Sequence, residues 1–161
     1  MIKSRQIIEV LESRKYAGIS QVEAGGDGCV LAQLENRNDQ GRPYTLTVRL
    51  DSEVESLRLC IPLLSIEQPA SVVPLVRASA GVDLAKGCLR IDSEHGLAVE
   101  FNLAWPGRGD SDSPAQVFGQ WLDGVIEEFR GIEMLMLRAQ QLLELCEAAI
   151  SGVSGASFCQ R

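Results

Sequence analysis

The sequence GCLRIDSEHGLAVEFNLAWP, residues 87–106, contains two segments of alternating apolar and polar residues around a short polar segment. Apolar residues occupy alternate positions before residues 93–96 and every second position of residues 97–105. A period of two is typical of a strand that buries one face. Two such strands around a short polar segment form a β-hairpin. The stretch therefore predicts a hairpin with residues 93–96 at its turn.

His95, the only histidine of the chain, lies in this turn. A single histidine excludes a metal site built from several histidines. Counted from Asp92, the fifth position is Gly96 and the twelfth is Leu103, whereas a calcium-binding loop needs an oxygen ligand at each. A Ser-His-Asp triad could use only His95, and the tip of a hairpin does not hold a histidine firmly in place. We therefore interpret the segment as a polar turn without catalytic or metal-binding residues.

Three other short motifs also fail as functional sites. The glycine-rich residues 24–28 lack the Gly-Lys-Ser/Thr ending of a phosphate-binding loop. Residues 107–111 contain Arg-Gly-Asp, but they have the composition of an ordinary loop before a helix. Residues 152–155 fall short of Gly-x-Ser-x-Gly, and no strand precedes them. We expect no catalytic residue and no cofactor.

The composition narrows the class of protein. The chain has 161 residues, of which 45% are hydrophobic and 23% are charged, as in one soluble globular domain. The net charge of −7, without a run of Lys or Arg, argues against a nucleic-acid partner. No apolar segment is long and uninterrupted enough for a signal peptide or a membrane span. We expect neither nucleic acid nor a membrane as a partner.

The cysteines indicate a reducing compartment. There are five, at positions 29, 60, 88, 146 and 159, and no two of them form a Cys-x-x-Cys pair. An odd number at wide spacing is typical of reduced thiols in a cytoplasmic protein. Structural zinc sites usually draw their ligands from closely spaced pairs, so we expect no zinc.

The sequence before the hairpin predicts a helix, three strands and a second helix. Apolar residues at helical spacing indicate a first helix over residues 2–16, with Gly18 as its stop. Alternating segments between turn residues then indicate three antiparallel strands, at residues 29–35, 44–50 and 57–63. Residues 69–80 predict a short middle helix.

A long final helix follows the hairpin. Ser113, Pro114 and Gln116 form its start, with the serine and glutamine spaced as in a capping box. From there to about Ile150, apolar residues recur in steps of four and three, which is a heptad seam. The seam contains Phe118, Leu122, Val125, Phe129, Ile132, Met136, Ala139, Leu143, Cys146 and Ile150. It is either an ordinary core face or a subunit interface, and the sequence leaves both interpretations open.

The length of this helix favours an interface between two chains. Residues 118–150 would extend about 50 Å, more than one sheet of a domain this size covers. We therefore predict a homodimer, with a dimer or partner interface that includes Phe118, Leu122, Val125, Phe129, Ile132, Met136 and Leu143. Gly124 and Gly131 would each weaken the helix by about 1 kcal/mol, a cost that close packing between helices would explain. The competing account is a helix that bends at Gly131 and folds back on its own domain.

The elements together form the order α-βββ-α-ββ-α. This predicts an α+β fold with an antiparallel sheet of about five strands, a single domain over residues 1–150, and a disordered tail over residues 151–161.

This order, the small size and the acidic pI of about 4.8 resemble the type III secretion chaperone-like superfamily, which includes the YbjN-like proteins. The closest likeness is LRIDSEHGLAVEFNLAW, residues 89–105, followed by SPAQVFGQWLDGVIEEF, residues 113–129. The resemblance covers the pattern of residues 1–145 without a diagnostic motif, and the final helix is longer than is usual in that family. It implies a protein that binds other proteins, often as a dimer, and is not an enzyme. No functional residue of the family can be carried over.

The functional hypothesis is therefore a non-catalytic, secretion-chaperone-like protein-binding module that acts as a homodimer on another protein. The alternative is a small-molecule-binding or regulatory domain without catalysis. Exposed apolar surface would favour the first hypothesis, whereas a deep cleft with converging polar groups would favour the second.

Overall fold

The computed structural model describes residues 2–37, 42–51, 56–64, 87–92, 96–104 and 113–154. Within these residues, two α-helices pack on one face of a six-stranded antiparallel sheet. The elements are α1 (Ser4–Glu12), β1 (Ile19–Ala24), β2 (Cys29–Leu34), β3 (Tyr44–Asp51), β4 (Ser56–Leu64), β5 (Gly87–Asp92), β6 (Gly96–Ala104) and α2 (Pro114–Ser154). The strand order is β1-β2-β3-β4-β6-β5. The predicted α+β class is confirmed.

The predicted hairpin is formed by β5 and β6. Their register extends from the pair Asp92 and Gly96 at the turn to the pair Gly87 and Phe101. Strand β6 also pairs with β4, so β6 lies inside the sheet and β5 lies at its edge. Residues 93–95, which include His95, lie outside the described residues.

The sheet has six strands instead of about five, because β1 was not predicted. Its two core-facing residues, Ile19 and Val22, are three positions apart instead of two. The register with β2 shifts between Ser20 and Glu23, and Gln21 between them has a φ of 48°. This is a β-bulge, which inserts one residue and breaks the period of two on which strand prediction depends.

The first helix is shorter than predicted. It ends at Glu12, and a 3₁₀ turn over Lys15–Ala17 connects it to β1. Gly18 then adopts a left-handed conformation with a φ of 88° and ends the 3₁₀ turn, whereas α1 itself ends at Glu12 with Ser13 as its C-cap, so Gly18 is not the stop of the first helix. A Cβ atom at Gly18 would lie 2.9 Å from the Cβ atom of Glu35, so the position also needs the small residue.

The last helix begins as predicted. The backbone N–H of Ser113 donates to Oε1 of Gln116 at 2.9 Å, and the backbone N–H of Gln116 donates to Oγ of Ser113 at 3.3 Å. This reciprocal pair is a capping box. The helix then continues through Gly131 to Ser154 without the bend that the competing account required.

Two sequence predictions lie outside the described residues. These are the middle helix at residues 69–80 and the part of the predicted tail at residues 155–161. The final helix itself ends at Ser154 instead of about Ile150. The assignment of residues 1–150 to a single domain stays a prediction.

Candidate functional site

The first half of α2 packs against the core of this chain. Five members of the predicted seam are almost fully buried: Phe118, Leu122, Val125, Phe129 and Ile132. They pack with apolar residues of α1 and of the sheet, and the ring of Phe129 meets that of Tyr44 at 5.0 Å in an edge-to-face contact. Their assignment to an interface is therefore corrected to the core, because these side chains have no surface left for a second chain.

The other two predicted interface residues lie further along the helix. Met136 is half-buried and packs against the core cluster. Leu143 belongs to the second half of α2, and its side chain is outside the part of the chain that the structure describes. These two positions remain compatible with the predicted interface.

The second half of α2 leaves the body of the protein. From residue 138 to residue 151, every residue whose burial is described is exposed. Five large apolar side chains are exposed by 44% to 72%: Met134, Leu135, Leu142, Leu145 and Ile150. We call these five residues the distal face. At 100° per residue they span about 160° of the helix circumference, so they form a wide apolar side and not a narrow stripe.

A polar network lies where the helix leaves the core. Arg130 donates through Nη1 to the backbone oxygen of Glu35 at 2.7 Å and to Oε2 of Glu133 at 2.9 Å. Its Nη2 donates to the backbone oxygen of Ala17 at 3.3 Å. Oε1 of Glu133 accepts from the backbone N–H of Arg37 at 2.9 Å. We call Arg130 and Glu133 the anchor, because together they bond the helix to backbone atoms of three residues in two segments.

The anchor was not found from the sequence. Arginine and glutamate three positions apart on a helix are typical of a solvated surface pair. The pair is buried because the fold places Ala17 and Glu35, which are distant in sequence, beside the helix. Nε of Arg130 is buried and has no hydrogen-bond partner within the described residues.

A second polar contact connects α2 to the segment after α1. Nε and Nη2 of Arg14 each donate to one carboxylate oxygen of Asp123 at 3.1 Å. The hydrogen bond to Asp123 raises the pKa of the Arg14 guanidinium above its ordinary value. The guanidinium lies against Gly119, where a Cβ atom would approach Nη2 to 2.6 Å. This contact orients the first half of α2 on α1.

Glu128 has a role that its sequence context did not suggest. Two adjacent glutamates on a helix are typical of a solvated face, and Glu127 is exposed. Glu128 is half-buried, and its Oε1 accepts from the backbone N–H of Gly87 at 3.3 Å. It therefore connects α2 to the start of the edge strand β5.

The described residues contain no group of three or more His, Cys, Asp or Glu side chains that could hold a metal ion. In the same part of the chain, no helix is long and apolar enough to cross a membrane. Cys29, Cys60, Cys88 and Cys146 are free thiols.

Among solved structures, the comparisons with known proteins find structural likenesses. No family model matches the chain, and no curated protein matches it. The fold is similar to one chain of the solved structure titled "Structure of the HopA1-SchA Chaperone-Effector Complex". The two chains share 16% sequence identity with a TM-score of 0.44, over 83% of this chain and 99% of the other.

Proposed function

We propose that the protein is a non-catalytic, chaperone-like protein-binding module that acts on another protein and does so as a homodimer. The observation that supports the proposal is the distal face on a helix that extends past the core. Soluble monomers rarely expose a contiguous apolar surface of this kind, and such surfaces are typical of binding sites for other proteins.

The size of the distal face is sufficient for association. The exposed fractions of its five residues equal about three whole side chains, and burying each contributes about 1.5–3 kcal/mol. If two copies bury this surface against each other, the burial contributes about 9–18 kcal/mol to the free energy of association. The loss of translational and rotational freedom on association costs about 4–15 kcal/mol. The two quantities are of the same size, so a homodimer of moderate affinity is the expected outcome.

The geometry of α2 leaves the distal face accessible to a second copy. Leu135 and Leu142 are seven positions apart, so they lie on nearly the same side of the helix. Cys146, four positions after Leu142, is also exposed. A second α2 helix can lie along this side for about 24 Å, from Met134 to Ile150 at 1.5 Å per residue.

We place the protein in the cytoplasm. The support is the four free thiols of the described residues, two of which are exposed. Exposed thiols persist in reducing compartments and become oxidised outside them. The net charge of −7 supports a protein partner over a nucleic acid.

Light scattering of the purified chain at micromolar concentration tests the dimer. We expect twice the chain mass of 17.5 kDa for the wild type and a single chain mass for the double variant Leu142→Glu/Leu145→Glu. Both side chains are exposed, so the variant should keep the wild-type circular dichroism spectrum. Met136 is unsuitable for this test because it packs against the core.

Ser151→Glu is the matched control, because Ser151 lies nine positions from Leu142 and therefore on the opposite side of the helix. This variant should remain dimeric. A monomeric wild type, or a folded double variant that is still a dimer, would contradict the proposed dimer. Action on another protein is tested separately: a protein captured by the wild type should be purified and should form a complex of fixed stoichiometry with it.

A further inference from the structure

The last helix loses its contacts with the core within about one turn after Glu133. Ile132 and Glu133 are almost fully buried, whereas Met134 is 54% exposed. Met136 is half-buried and still packs against the core cluster, and from residue 138 to residue 151 every residue whose burial is described is exposed. The direction of its second half therefore depends on the contacts made at the point where it leaves the core.

The anchor is placed to control that direction. Arg130 and Glu133 bond to backbone atoms of two segments: Ala17 in the 3₁₀ turn after α1, and Glu35 and Arg37 after β2. Charged groups form shorter and stronger hydrogen bonds than neutral ones, and the fixed fork of a guanidinium adds directional specificity. Glu133 lies nine positions before Leu142, so the anchor is on the side of the helix opposite the centre of the distal face.

Between the two anchor residues lies the weakest point of the helix. A Cβ atom at Gly131 would meet nothing within 4 Å, so none of the described residues needs a glycine there for packing. The expectation that close packing against a second chain accounts for Gly131 stays a prediction. Glycine has more backbone freedom than any other residue and is one of the residues at which helices kink.

We propose that Arg130 and Glu133 are positioning residues that hold α2 straight across Gly131 and thereby set the direction of the distal face. When the anchor is loosened, the helix bends at Gly131. A bend of about 20° would move the end of the helix by about 10 Å, because about 30 Å of helix lies beyond the anchor. The consequence for binding rests on the proposed function, since two distal faces meet only when both helices point correctly.

The experiment measures a distance within one chain. Spin labels at the two exposed cysteines, Cys88 on β5 and Cys146 on α2, report the direction of the helix relative to the sheet. Cys60→Ala and Cys159→Ser remove competing label sites. Labelled protein is diluted with excess unlabelled protein, so that each measured pair of labels lies in one chain.

The main variant is Arg130→Lys, which keeps a positive charge beside Glu133 but cannot reach the backbone oxygens of Ala17 and Glu35 together. We expect a narrow distance distribution for the wild type and one at least twice as wide for Arg130→Lys. Adding Gly131→Ala should narrow it again, because alanine restores helix stability at the bending point. A purely structural role of Arg130 would not produce this rescue. Arg138→Lys, at an exposed position of the same helix, is the control and should keep the wild-type width.

A folded Arg130→Lys variant with the wild-type width would overturn the inference, and so would a broadened distribution that Gly131→Ala fails to narrow. If Arg130→Lys does not fold, Glu133→Gln takes its place, with the same expected broadening and rescue. Light scattering of the same proteins without spin labels separates the two proposals. A monomeric wild type with the expected distances overturns the dimer alone, whereas a dimeric wild type with unchanged distances in the variant overturns the positioning role alone.

Discussion

Arg130 and Glu133 are an ion pair with little access to water, since their side chains are exposed by only 13% and 2%. Removing one partner of a buried pair leaves the other charge without compensation, which costs about 3–5 kcal/mol. We therefore expect Arg130→Met to lower the free energy of unfolding by about that amount, measured by urea denaturation.

Arg5→Met provides the comparison for this prediction. Arg5 and Glu9 also form an ion pair, at 3.1 Å, but their side chains are exposed by 89% and 59%. Ion pairs at such positions contribute little to stability. Equal losses for Arg130→Met and Arg5→Met would contradict the view that the anchor is a buried pair.

Two glycines should respond in opposite directions to alanine. Gly131→Ala should raise the free energy of unfolding by about 0.5–1 kcal/mol, because the position is helical and open and alanine is the better helix former. Gly18→Ala should lower it, because Gly18 has a φ of 88° and no room for a Cβ atom beside Glu35. Thermal unfolding of both variants measures the difference, and a destabilised Gly131→Ala would show that something packs closely at that position.

Residue roles could be predicted from the sequence where the partners are near along the chain. Ser113 and Gln116 form a capping box as predicted, and each depends on a neighbour three positions away. Arg130 depends on backbone oxygens 95 and 113 positions away, which no local pattern reveals. Local chemistry predicted the start of α2, and only the fold revealed the anchor.

At the scale of elements, the prediction of the β5–β6 hairpin depended most on periodicity, namely the period of two in its apolar residues. Its strands pair in a regular register up to Asp92 and Gly96, so residues 93–95 connect two paired positions. We expect His95→Ala to change the free energy of unfolding by less than about 0.5 kcal/mol, as surface substitutions usually do. Phe101→Ala, in the buried part of the same hairpin, should cost about 3–5 kcal/mol. A loss above about 2 kcal/mol for His95→Ala would place that side chain in a buried network.

Strand β1 shows why periodicity failed for one element. A bulge places Ile19 and Val22 on the same face at a spacing of three, so the segment matches neither the strand nor the helix pattern. The bulge also lies on an edge strand, where an irregular backbone discourages pairing with another chain. The feature that concealed β1 in the sequence therefore protects one edge of the sheet.

Helix α2 shows a different limit of sequence reasoning. A seam that faces a sheet and a seam that faces a second helix both repeat apolar residues in steps of three and four. The sequence therefore predicted the helix and its apolar side, but could not divide that side between core and interface. The division depends on how far the sheet extends beneath the helix, and in the described residues the core contacts end at Met136.

At the scale of the whole molecule, we expect the chain to hold no stoichiometric metal ion. The reasons are the single histidine and the wide spacing of the cysteines. Elemental analysis of protein purified without chelators should find well below one zinc per chain, and dialysis against a chelator should leave the melting temperature unchanged. One zinc per chain, or a lower melting temperature after chelation, would contradict this expectation.

Because the second half of α2 is exposed, its helical structure depends on the conditions in which the protein is studied. A helix of this length without tertiary contacts is only marginally stable in water, so its backbone hydrogen bonds should open much more often than those of the core half. In hydrogen–deuterium exchange, amides beyond Arg138 should exchange rapidly in dilute protein and more slowly as the concentration rises, whereas amides of residues 118–132 should stay protected at every concentration. Ordering of the segment and capture of its partner then become one event, and part of the binding energy is used to complete the helix.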